Sequence, residues 1–155
     1  MRTFLYRTIQ CTWGCLQTLL GFAVFLANWN APHFSYHGAI ATKWQNPSSV
    51  SLGMFVFVTA DPYFYEKLKE EYSKEALSQR LLVHEYGHTI QSLILGPLYL
   101  ILMGVPSTLW GFLPSLNQMR REKQVSYFSF FTESWANTLG EKVTGKKSME
   151  SLVID

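Results

Sequence analysis

Apolar residues in this chain come in long blocks, and the charges collect between them. No Asp, Glu, Lys or Arg occurs from Thr8 to Thr42, and none from Thr89 to Met119. The first block opens behind Arg2 and Arg7 and holds a 17-residue run, Trp13 to Trp29, with a tryptophan at each end. A spanning helix needs about 20 apolar residues and tolerates about 17. Tryptophans at both edges fit the membrane interface, and the leading arginines favour a cytoplasmic N-terminus. The run therefore predicts a hydrophobic anchor over residues 1–30, spanning the bilayer or lying on it, ahead of a domain over 31–155; a helix buried in the protein core is the other reading. A secretory signal is the weaker reading, because no small-x-small cleavage site follows the run.

Phe34–Trp44 and Val50–Val58 are rich in β-branched and aromatic residues, and Gln45-Asn-Pro-Ser-Ser49 between them is a turn-forming cluster. The pair predicts an antiparallel β-hairpin. Asp61-Pro62 reads as an N-cap followed by proline at the first helical position. Helix is expected from there to Leu95, broken near Ser73 and stopped by Gly96-Pro97. The second uncharged block is interrupted by Gly104, Pro106, Gly111 and Pro114, and Arg120, Arg121 and Lys123 close it. A last helix is expected from Ser126 to Val143, ending before Gly145. The fold class is α+β.

Composition narrows the function classes. The chain has 155 residues, enough for one core, with a net charge of +2 and 15% charged residues, against about 25% in an ordinary soluble domain. At 48% hydrophobic it is too apolar for disorder. It also lacks the basic surface of a nucleic-acid binder. Cys11 and Cys15 form neither a disulfide framework nor a zinc ribbon.

The chemistry sits in Leu81-Leu-Val-His84-Glu85-Tyr86-Gly87-His88. On a helix, positions four apart share a face, so His84 and His88 can each give a ring nitrogen to a tetrahedral Zn2+. Glu85 follows the first histidine directly. Its carboxylate then reaches a metal-bound water rather than the metal and serves as general base. A third ligand leaves one zinc position open, and Glu133, in Glu133-Ser-Trp-Ala136-Asn137, can provide it. Asn137 lies four residues on and can accept a hydrogen bond from the second nitrogen of a zinc-bound histidine. Ala136, Gly140 and Gly87 are small enough for two helices to cross closely. Val50–Val58 is a candidate edge strand for an extended peptide. Tyr86, Tyr99 and Tyr127 are equal candidates to stabilise an oxyanion. His33 and His37 follow Pro32 where a strand begins, and read as structural.

His-Glu-x-x-His followed by Glu-x-x-Ala-Asp on a later helix is the pattern of the gluzincin metallopeptidases. With a strand, turn and helix before it and apolar segments between the motifs, the chain resembles the membrane-linked branch that includes CAAX prenyl proteases and bacterial heat-shock proteases. The resemblance covers about residues 50–140. It implies zinc on His84, His88 and Glu133, Glu85 as base, and a peptide or protein substrate. Asn137 stands where that family has Asp, and a neutral amide polarises a histidine less than a carboxylate does. The chain is far smaller than those enzymes, so their substrates do not carry over.

One condition follows from topology. If residues 93–116 crossed the bilayer once, His84 and Glu133 would lie on opposite sides and could not share a metal. The metal reading requires this block to turn back, and its glycines and prolines permit that. The competing reading is a small, non-catalytic membrane protein that packs or binds partners through its apolar blocks, with or without structural zinc. Both readings place the chain at a membrane, with lipid as a partner and no nucleic acid.

Overall fold

The computed structural model describes residues 3–149 and Leu152; Arg2, one of the two leading arginines, lies outside them. The chain is mixed α+β. Two helices, α1 (Thr3–Thr12) and α2 (Cys15–Ala27), lead into strands β1 (His33–Tyr36), β2 (Ala39–Trp44), β3 (Val50–Leu52) and β4 (Phe55–Thr59). After the short α3 (Tyr65–Leu68) comes the long α4 (Lys74–Leu95). A 3-10 turn (Gly96–Leu98) and a π turn (Leu100–Gly104) connect it to α5 (Val105–Phe112) and α6 (Pro114–Lys123). Another 3-10 turn (Tyr127–Ser129) precedes α7 (Phe131–Thr144).

The expected single hairpin is corrected to two hairpins in one mixed sheet of order β1-β2-β4-β3. Each of the two β-rich stretches folds back on itself, and β2 and β4 then pair in parallel, with Ile40 opposite Phe55 and Trp44 opposite Thr59. The cause is turn chemistry inside the stretches. His37 and Gly38 have φ of +48° and +100°, the pattern of a type I′ turn. Gly53, at φ +60°, opens the two-residue turn between β3 and β4, the glycine-first pattern of type II′. Residues 45–49 are not a hairpin turn; they step over the end of β4 to reach the sheet edge.

All five β4 residues are buried. Val56 and Val58 belong to the core with Leu77, Leu81, Leu82 and Tyr86 of α4, while Phe55 packs on Phe22 and Phe25 of α2. Burial of each such side chain is worth about 1.5–3 kcal/mol, so the sheet is held from both faces.

Asp61-Pro62 does not begin a helix. α3 starts at Tyr65, and the Asp61 carboxylate instead pairs with Lys74 at 2.6 Å. The effective cap is Ser73, whose hydroxyl accepts from the Ala76 amide and starts α4. The far end stops at Gly96, in a positive-φ conformation. α7 ends at Gly145 in the left-handed region, as a glycine just past a helix allows.

Most of the Trp13–Trp29 run is one helix, α2, too short by itself to count as a span. The chain bends by 102° between α1 and α2. α1–α2 are also bound into the rest of the fold. Tyr6 is fully buried and stacks on Tyr86. The Gln10 amide donates to the Thr89 carbonyl, and the Gln17 amide donates to Ser92 Oγ and the Gly96 carbonyl. No single helix among the described residues is long and apolar enough to cross a membrane.

Candidate metal centre

α4 and α7 cross where their side chains are smallest. A Cβ added at Gly87 would overlap the Ala136 carbonyl, and one at Gly140 would overlap the Val83 carbonyl. Backbone contact at two points brings the inward faces of the helices together. His84, Glu85 and His88 of α4 and Glu133 and Asn137 of α7 are all buried.

The three expected ligands meet. His84 Nε2 lies 3.2 Å from Glu133 Oε2, and His88 Nε2 lies 3.3 Å from the same oxygen. Two atoms each about 2.05 Å from a tetrahedral Zn2+ are about 3.3 Å apart, so these separations suit ligands of one ion. Among the described residues, this is the group whose ligand atoms lie close enough to hold a metal, all within 4.8 Å of one another.

Both imidazoles are fixed from behind. His84 Nδ1 hydrogen-bonds Asn137 Oδ1 at 2.8 Å, and His88 Nδ1 hydrogen-bonds Gln91 Oε1 at 2.7 Å. An amide oxygen only accepts, so Nδ1 carries a proton in each ring and Nε2 is the atom turned toward Glu133. Asn137 thus stands where the sequence places it. Gln91 was missed, although it lies three residues after His88 on the same helical face; its own amide is anchored to the Thr132 carbonyl at 2.7 Å. Ser107 and Thr132 were missed as well. Both hydroxyls donate to Glu133 Oε1, which leaves Oε2 to the histidines. Ser107 comes from the uncharged block, and nothing local in the sequence links it to residue 133.

Electrostatics follow from burial and pairing. Burial opposes charge on both members of the His88–Glu133 pair, yet their attraction prevails. It raises His88 to about 9 and holds Glu133 well below the usual carboxylate range. Glu85 is raised, first by burial and further by the Glu133 charge, although His84 and His88 oppose the shift.

Of the three tyrosines, Tyr86 is already engaged: its hydroxyl donates to the His37 carbonyl at 3.1 Å on the sheet side. Tyr99 and Tyr127 lie where the charges of Glu85 and Glu133 reach them, and burial followed by those charges raises both phenols. His33 contacts Thr42 and Trp29 and, like His37, is not part of the cluster. The candidate substrate strand is corrected in part. β4 is interior and paired on both sides, and of the 50–58 stretch only β3 lies at a sheet edge.

The block after α4 turns back, as a shared site requires. α4 and the following helical segment are bent by 119°, and the chain returns through α6 to bring Glu133 onto His84 and His88. No family model, no curated protein and no solved structure matches this chain.

Proposed function

We propose that this protein is a zinc-dependent peptidase whose metal is held by His84 Nε2, His88 Nε2 and Glu133 Oε2. The supporting observation is the convergence of two fixed imidazoles on one carboxylate oxygen, at 3.2 and 3.3 Å, with all three ligand atoms within 4.8 Å of one another. Three protein donors leave a fourth position open, the pattern of catalytic rather than structural zinc. A zinc ion there would lower the pKa of a water toward 7 and polarise a peptide carbonyl.

The chain's own groups supply the rest. Glu85, adjacent to the ligand histidine and raised by burial, takes the proton of the attacking water and passes it to the leaving amine. A base tuned upward toward working pH suits that double role. Asn137 and Gln91 hold the two rings in one tautomer. Ser107 and Thr132 hold the Glu133 carboxylate so that one oxygen faces the ligand point. The raised phenols of Tyr99 and Tyr127 keep their protons and are the available donors to a developing oxyanion.

The test combines elemental analysis with cleavage of a peptide library. Wild type should carry about one zinc per chain, and His88→Ala and Glu133→Ala should lose it. Glu85→Gln should keep its zinc while cleavage falls about 100-fold or more. Zinc retained in both ligand variants would sink the ligand set. Unchanged cleavage in Glu85→Gln would sink the base. Zinc bound with no cleavage of any peptide would favour the non-catalytic reading.

A further inference from the structure

Most of the large apolar side chains left exposed lie on two stretches, the second of them without a charge. Outside α1–α2 with Trp29, and the segment from Ile94 to Leu113, the exposed large hydrophobics among the described residues are Tyr63, Phe131 and Val143. The two stretches adjoin. Trp13, at the α1–α2 break, packs on Gly96, at the α4 break, and Gln17 bonds the Gly96 carbonyl.

The segment from Gly96 to Leu113 has two unlike sides. Outward it presents Ile101, Leu109 and Phe112, which are 65%, 48% and 78% exposed. Inward it presents Tyr99, Met103 and Trp110, all buried. Ser107 reaches Glu133, and Trp110 Nε1 donates to the Tyr127 carbonyl at 2.9 Å. This segment therefore closes over the metal cluster, whose His84, Glu85, His88 and Glu133 are at most 7% exposed. A peptide cannot reach Glu85 while the segment stays in place.

The chemistry of the outer face selects its occupant. Between Thr89 and Met119 no side chain is charged, whereas a protein interface carries about one hydrogen bond per 100–200 Å2. Exposed Trp13 and Trp29 flank α2, as at a lipid interface. Exposed Arg121 and Lys123 follow on α6, with exposed Glu122 between them, and the two cations suit anionic headgroups. At 13 and 8 residues, α2 and α5 are about 20 and 12 Å long, too short for a hydrocarbon core of about 30 Å. Such helices sink into one leaflet rather than cross it.

We infer that residues 96–113 form a membrane-docked lid. An anionic lipid bilayer binds its outer face and, when the segment swings out, also takes up the inward Tyr99, Met103 and Trp110, so docking favours the open state and substrate enters only at the membrane. What lies beneath the lid rests on the metal reading; the docking itself does not.

The experiment uses the full chain with vesicles of phosphatidylcholine, with and without phosphatidylglycerol. Wild type should float with vesicles, more strongly with the anionic lipid. The triple variant Ile101→Ser/Leu109→Ser/Phe112→Ser should lose vesicle affinity about tenfold or more, and Tyr63→Ser should not. Lid movement is read by maleimide labelling of Met103→Cys in a Cys11→Ser/Cys15→Ser background, which needs no metal. Labelling should be slow in solution and about tenfold faster on vesicles, with the scale set by an opening of about 1.4 kcal/mol. Absence of flotation, or self-association through this face in its place, overturns the lipid partner. Flotation with unchanged labelling, or fast labelling already in solution, overturns the lid. Zinc content of the same samples is a separate reading: docking and labelling as expected in a chain without zinc would refute the metal centre and leave the lid standing.

Discussion

At the residue scale, the proposed centre depends on two amides as much as on its three candidate ligands. Asn137 and Gln91 each accept from an Nδ1, and loss of such a partner costs a metal site about 10–100-fold in affinity. Asn137→Leu, close in volume but without an acceptor, should weaken zinc binding by that factor. Asn137→Asp should hold or tighten it, because a carboxylate accepts the same hydrogen bond more strongly. Competition with a chromogenic chelator measures both, and equal affinity in all three proteins would remove Asn137 from the site. A pH dependence follows from His88, raised to about 9 in the metal-free protein by the Glu133 carboxylate against the cost of burial. A raised histidine pKa stabilises the metal-free fold fully below the unfolded value of about 6.5 and loses that contribution as pH passes about 9. Zinc takes only the neutral ring, so binding releases one proton. Affinity should therefore climb about tenfold per pH unit from near 7 and level off near 9. A flat profile across that window would contradict the charged His88–Glu133 pair.

At the element scale, the α4–α7 crossing sets the ligand separations. Gly87→Ala puts a methyl group into the Ala136 carbonyl, and backbone cannot yield as a side-chain tip can. Overpacking of this kind costs about 1–3 kcal/mol or more. It should lower Tm and also lose zinc, because the helices that carry His88 and Glu133 are pushed apart. Gly145→Ala, with nothing near its added Cβ but a φ of +69°, should cost about 1 kcal/mol and keep its zinc. Equal zinc loss in the two would show that stability, not helix separation, controls the site. This crossing was legible in the sequence because helical periodicity aligns Gly87 beside His88, and Ala136, Asn137 and Gly140 with Glu133. Strand pairing was not. The His37-Gly38 and Gly53-Met54 turns sit inside β-rich runs that look continuous, and the parallel β2–β4 ladder is a non-local contact with no local signature. The break at Gly14 was hidden in the same way, because hydropathy averages over a bend. Ser107 was beyond reach for a related reason: its partner lies 26 residues away across two helix breaks.

At the scale of the whole molecule, the three candidate ligands come from elements that sequence keeps far apart. His88 and Glu133 are 45 residues distant along the chain, and between them run the lid segment and α6. An ion held by both would close that loop in the folded state and find no such geometry in the unfolded one. Binding to the folded state alone stabilises by RT ln(1 + [L]/Kd), about 4 kcal/mol when free zinc is 1,000 times Kd. A domain of this size gains about 2–4 °C in Tm per kcal/mol. Zinc should thus raise Tm by about 8–16 °C, and a chelator should reverse the shift. Glu133→Ala separates this closure from nonspecific effects. It removes one arm of the loop, so its Tm should no longer respond to zinc, although its metal-free stability also drops with the lost His88–Glu133 pair. Glu85→Gln, which leaves every ligand in place, should keep the full zinc-dependent shift even where cleavage is lost. A wild type whose Tm ignores both zinc and chelator would mean that the buried histidines and carboxylate serve only each other.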